Sequence, residues 1–184
     1  MYRKRSAIAL LATALIVSAP RSHAANDGII DITGRIVATT CQVEGKPPGG
    51  GAATKTVALG SISAGALANQ GDTAGDRGFV IRIGGNEECT NDITAKIRFD
   101  PASPAMDRTT GRLNVDPGDD AATNVQIQMA NRDGTPINMY TEDSQGVKVT
   151  DHVAEIGLIA RYYSMGDVKG GTAASRVGFQ VVYD

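Results

Sequence analysis

Residues 28–36, Gly-Ile-Ile-Asp-Ile-Thr-Gly-Arg-Ile, alternate with the period of an extended chain. Gly28, Ile30, Ile32, Gly34 and Ile36 share one parity, so a strand built from them puts three isoleucines on one face and Asp31, Thr33 and Arg35 on the other. A helix would scatter the same residues around its axis. An apolar strand this close to one end of a chain needs a flanking strand and a surface to lie on. Its own domain supplies them, or another chain does.

What precedes this stretch places the protein in the cell. Arg3, Lys4 and Arg5 form a positive start, residues 7–19 an apolar run, and Ser22-His23-Ala24 a small-x-small cleavage site, so residues 1–24 read as a secretory signal peptide. The run is too short for a membrane span, which needs about 20 residues. Cleavage leaves 160 residues, a length suited to one domain, with 14 basic and 20 acidic residues and hence a net charge of −6. That balance argues against nucleic acid or anionic membrane as partner, since both require a basic patch. Two cysteines, Cys41 and Cys89, enter an oxidising compartment together, and one disulfide is the expectation. A thiolate metal site lacks ligands, because His152 is the only histidine after the signal and no Cys-x-x-Cys occurs.

Beyond the signal no window sustains a helical period, and short β-type runs recur between turn-forming clusters. Strands are expected over 29–40, 55–62, 79–83, 93–99, 112–115, 125–129, 137–140, 154–164 and 176–183. Loops are expected over 63–78, 100–111 and 165–174. Asp133-Gly134 marks a hairpin, because that pair tolerates the positive φ of a tight turn. In the penultimate run Ile156, Leu158, Ala160 and Tyr162 share a face. In the last, Val177, Phe179, Val181 and Tyr183 do. This many strands in 160 residues, with no helices to carry parallel crossovers, fit an antiparallel β-sandwich.

Catalytic patterns find little support. Ser61-Ile62-Ser63 lacks the leading glycine of a nucleophile elbow, and His152 directly follows Asp151 without a triad order. Gly49-Gly50-Gly51 lacks the Lys-Ser/Thr ending of a phosphate loop, and Asp116, Asp119 and Asp120 lack EF-hand spacing. No cofactor, no metal and no enzymatic activity are expected.

The two ends of the chain, taken in order, resemble a subunit of the fimbriae that Gram-negative bacteria assemble by the chaperone-usher route. The matching features are the signal, the alternating extension from Gly28 to Ile36, Cys41-Gln42-Val43, Ala160-Arg161-Tyr162-Tyr163, Gly171 fourteen residues from the end, and the closing run from Val177 to the penultimate Tyr183. Residues 27–34 with Val177-Gly178-Phe179 are similar to the serotype-specific fimbrial major subunits of Bordetella.

The resemblance implies an incomplete immunoglobulin-like sandwich that lacks its final strand and is completed by donor-strand exchange. Residues 25–36 would be the amino-terminal donor extension and 37–184 the pilin domain. Gly28, Ile30, Ile32, Gly34 and Ile36 would enter a neighbour's groove, while Val177, Phe179, Val181 and Tyr183 would form the acceptor strand that first pairs with a chaperone. The implied partners are a periplasmic pilus chaperone, an outer-membrane usher, and identical or related subunits. The destination is the cell surface, where a host receptor is an open question. Two alternatives remain at this point: a minor adaptor of the same fibre, and a self-contained secreted sandwich that binds carbohydrate. Loops 63–78 and 100–120 are the expected variable outer surface.

Overall fold

Nine strands run through the described residues: β1 (Thr73–Gly84), β2 (Thr94–Phe99), β3 (Met106–Asp107), β4 (Arg112–Asn114), β5 (Thr123–Asn131), β6 (Pro136–Ile137), β7 (Val147–Lys148), β8 (Val153–Lys169) and β9 (Phe179–Tyr183). They come from a computed structural model that describes residues 41–184, all within the unit Val37–Asp184. The alternating set Gly28, Ile30, Ile32, Gly34 and Ile36 lies outside the described residues, as does the signal peptide.

Every strand pairing is antiparallel. One sheet runs β1-β8-β5-β4-β3, with β6 also pairing β5, and the other runs β7-β2-β9. The sandwich is therefore all-β; the only helical piece among the described residues is a 3-10 turn at Ala64–Leu67, capped by the Ser63 side chain accepting from Gly65 N–H. No described helix is long and apolar enough to cross a membrane.

The core follows the period-2 pattern. Ile156, Leu158 and Ala160 of β8 turn inward with Ile81 and Ile83 of β1 and meet Ala95, Ile97 and Phe99 of β2. Strand β8 is flanked on both sides, so its inward side chains are sealed; Ile156 is 1 % and Leu158 2 % exposed. Burial of one such side chain contributes roughly 1.5–3 kcal/mol. The Asp-Gly hairpin forms as expected between β5 and β6, with Gly134 at φ +87° and its N–H donating to Asn131 O.

Several expectations fail: the run 137–140 is strand only at Ile137, where a tight turn follows, loop 100–111 holds β3 because Met106 and Asp107 pair with β4, and further segments differ. Residues 55–62 do not form a strand: Val57, Leu59 and Ile62 are half-buried at intervals, but no described strand forms a backbone ladder with this segment. Loop 63–78 ends early, because Thr73 and Ala74 already pair with Tyr163 and Tyr162. A bulge follows, where Gly75 takes φ +75° and a Cβ would sit 3.0 Å from the Tyr162 ring. Connection 165–174 also yields to strand as far as Lys169, which pairs with Thr123. Strand β9 begins at Phe179, so Val177 precedes it.

Candidate functional site: the edge of the last strand

Strand β9 pairs only with β2 among the described strands. The ladder phase fixes what its backbone offers on the other side. Thr94 and Asp184 exchange both backbone hydrogen bonds at 3.0 Å, and Asp100 N–H donates to Gly178 O at 2.9 Å. Alternation then turns the backbone groups of Gln180 and Val182 toward β2 and those of Phe179 and Val181 away from it.

The side chains repeat the asymmetry. Phe179, Val181 and Tyr183, with Val177 just before them, rest on the core cluster but are only half-buried. Their neighbours across the ladder, Phe99, Ile97 and Ala95, are fully buried. A second half-covered row, Val57 and Leu59, rests on the same cluster from the strandless segment. That segment is held by side chains reaching its carbonyls, Arg77 Nε donating to Ala58 O and the Tyr162 hydroxyl to Gly60 O, and just before it Lys46 Nζ donates to Ala52 O. Between residues 56–58 and Arg77, Gly78 and Phe79 lies an open cleft of about 410 Å³.

The outer face of the small sheet is charged. Arg98 makes a two-pronged contact with Asp143, at 2.8 and 2.7 Å, which holds the Asp143 carboxyl below its usual range, and Lys96 pairs with Asp184. Charged side chains outside and apolar ones inside fix which face of the small sheet turns to the core.

The other sequence-marked residues serve as structural ties. Cys41 and Cys89 are joined by a disulfide across 48 residues of sequence, a closure that stabilises by about 4 kcal/mol on the chain-entropy model. Gly171 abuts residues 120–122: a Cβ there would lie 2.6 Å from both Ala122 N and Asp120 O. Thr172 N–H donates to Asp120 O, and Ala122 N–H to Thr172 O, so the approach to β9 is laced to the loop before β5. Asp116 N–H donates to Ala174 O in the same lacing. Among the described residues no three His, Cys, Asp or Glu side chains converge as metal ligands would.

Sequence reading missed Glu44. Its carboxylate accepts the Arg82 backbone N–H at 2.8 Å and pairs with Lys55 at 2.9 Å. Burial alone would raise its pKa, but the Arg82 bond and Lys55 together bring it below the usual value. With Glu44 N–H donating to Arg82 O and Gly84 N–H to Gln42 O, residues 42–44 cover the end of the β1 edge. No local pattern announces this, because Glu44 stands in a left-handed turn, at φ +50°, set by tertiary contact.

Comparison with known proteins agrees with this architecture. Residues 30–184 match the family described as "Fimbrial protein". The major fimbrial subunit SMF-1 of Stenotrophomonas maltophilia is 32% identical, over 92% of this chain and 100% of that protein. The serotype 2 fimbrial subunit of Bordetella pertussis is 32% identical over 94% of each. Among solved structures, the P pilus rod subunit PapA superposes with a TM-score of 0.57 at 14% identity, covering 79% of this chain and 100% of that one. A subunit from a chaperone-usher pilus gives 0.57 at 16% identity, covering 91% and 99%. Fold and sequence together make this chain a member of the fimbrial protein family.

Proposed function

We propose that this protein is a structural subunit, the major one, of a chaperone-usher fimbria, exported through the periplasm and displayed at the cell surface as an adhesive fibre. The observation that carries this reading is the edge of β9. Three inward side chains are half-covered there, and the backbone groups of Phe179 and Val181 point away from the sheet. A strand laid along that edge would gain backbone bonds and cover the Phe179, Val181 and Tyr183 row in one step, which is strand addition; pilin donor-strand complementation is a named instance of that mode.

Residues 28–36 have the composition to be that strand. Ile30, Ile32 and Ile36 would descend into the groove, each contributing roughly 1.5–3 kcal/mol. Gly28 would take the pocket that tolerates little more than a hydrogen. A periplasmic chaperone would hold the edge first, and an usher would direct its replacement by the next subunit's extension. The work of the protein is then mechanical linkage, with no catalytic step. A self-contained carbohydrate-binding sandwich would need its last strand sealed within its own chain, and an adaptor would share the same edge.

The test is an unboiled SDS gel of the protein co-expressed with its chaperone and usher, beside a form lacking residues 25–33. A ladder that collapses on boiling and is absent from the truncated form is the expected result. Monomer in both lanes would sink strand donation.

A further inference from the structure

His152 sits where a histidine costs energy. Thr150 and Val153 exchange both backbone hydrogen bonds at 3.0 Å, leaving Asp151 and His152 as a two-residue turn with φ of +50° and +63°. Such turns favour Asn and Gly, and a left-handed histidine persists only where its surroundings over-determine it.

Those surroundings are all in the loop that carries Cys89. His152 N–H donates to Asn91 Oδ1 at 2.7 Å, and His152 O accepts from Gly85 N–H at 2.9 Å. The ring Nδ1 lies 2.7 Å from Cys89 O, so Nδ1 carries the proton and donates. Nε2 then accepts, from Asn91 Nδ2 at 3.4 Å. Gly84 closes the arrangement: a Cβ there would fall 2.1 Å from His152 O and 2.9 Å from Cys89 Sγ. None of the hydrogen bonds involves Cys41 or either sulfur, so all are open to the reduced chain.

We propose that His152 is a positioning residue for the Cys41–Cys89 disulfide, docking the Cys89 loop on the β7–β8 turn so that the Cys89 thiol faces Cys41 before the bond exists. Oxidation itself needs a disulfide-bearing oxidant. One cysteine thiolate attacks that disulfide and expels a thiolate; the second cysteine attacks the mixed disulfide and expels the other. Both electrons go to the oxidant, and the two cysteine protons pass to solvent or the departing thiolates. The docked loop raises the effective concentration of the second thiol in the closing step.

The experiment equilibrates the full chain, collected from the periplasm, in buffers of oxidised and reduced glutathione, and counts free thiols by alkylation. H152A is expected to lower the effective concentration of the cysteine pair about tenfold or more, a shift of at least about 30 mV toward easier reduction. H152N keeps a donor near the Nδ1 position and tolerates positive φ, so it is expected to stay within about threefold of wild type. H152G separates the two roles of the residue. It relieves the turn but lacks the ring, and it should match H152A in redox titration even where it matches wild type in thermal stability. Should H152A fail to accumulate, N91A carries the same expectation. Wild-type thiol titration in H152G, or in N91A, would overturn the proposal.

Discussion

Strands β8 and β9 follow one another in the chain and share the same alternation, yet they end in opposite conditions. Strand β8 has 17 residues, a partner on each side, and inward side chains that water does not reach. Strand β9 has five residues, one described partner, and an inward row that is half-covered. Composition does not separate them, since Phe179 and Val181 are as apolar as Ile156 and Leu158. Flanking does. A strand inside a sheet spends its surface on its own domain, whereas an edge strand over an open core keeps some for a partner.

Substitution should split the two regions by what each loses. L158A is expected to cost about 2–5 kcal/mol in denaturant unfolding, because it cuts a cavity into a sealed core. V181A should cost the isolated subunit roughly half as much, its side chain being half-exposed already, while thinning the oligomer ladder more than L158A does. Equal unfolding losses would mean that the β9 row is as sealed as β8. Replacing Gly171 by Val forces the backbone of residues 120–122 to move; a loss of about 1–3 kcal/mol is expected, the usual range for overpacking. It should also weaken chaperone capture, since β9 loses its anchored approach, and pull-down with the chaperone would measure that.

Smaller effects should come from the covered end of β1. E44A removes the partner of Arg82 N–H and the Lys55 ion pair, and is expected to cost about 1 kcal/mol by thermal melting. The same group gives a pH dependence. The folded pKa of Glu44 is lowered, as are those of Asp107 and Asp143, so their stabilisation is present above the unfolded values of 4.5 and 3.8 and fades as pH falls through the folded ones. Acid titration of melting temperature should therefore decline below about pH 4, and E44A should flatten the upper part of that decline.

Sequence alone made much of this legible. The parity of Ile156, Leu158 and Ala160 named the inward face of β8 correctly, and that of Phe179, Val181 and Tyr183 did so for β9. What parity reports is a face, and it is silent on partners. Val57 and Leu59 keep the alternation of a strand, yet no described neighbour makes them one. Thr73 and Ala74 have the composition of a loop and become strand because Tyr163 and Tyr162 stand opposite them. Glu44 and His152 were invisible for a related reason: their left-handed backbones and their bonds to Arg82 and Cys89 arise only once distant segments meet.

The Glu44 carboxylate at Arg82 N–H also bears on the shape of the fibre proposed above. Among the described residues the outer strands are β1, β3, β6, β7 and β9, and β3, β6 and β7 are two residues long. Such stubs template nothing. Strand β1 is long enough to recruit another chain, but residues 42–44 and the carboxylate occupy the end of its rim. A subunit able to grow from two rims would cross-link into a network. Covering the Arg82 end of β1 would, on the strand-addition reading proposed above, favour growth along β9 alone and so a thread that does not branch.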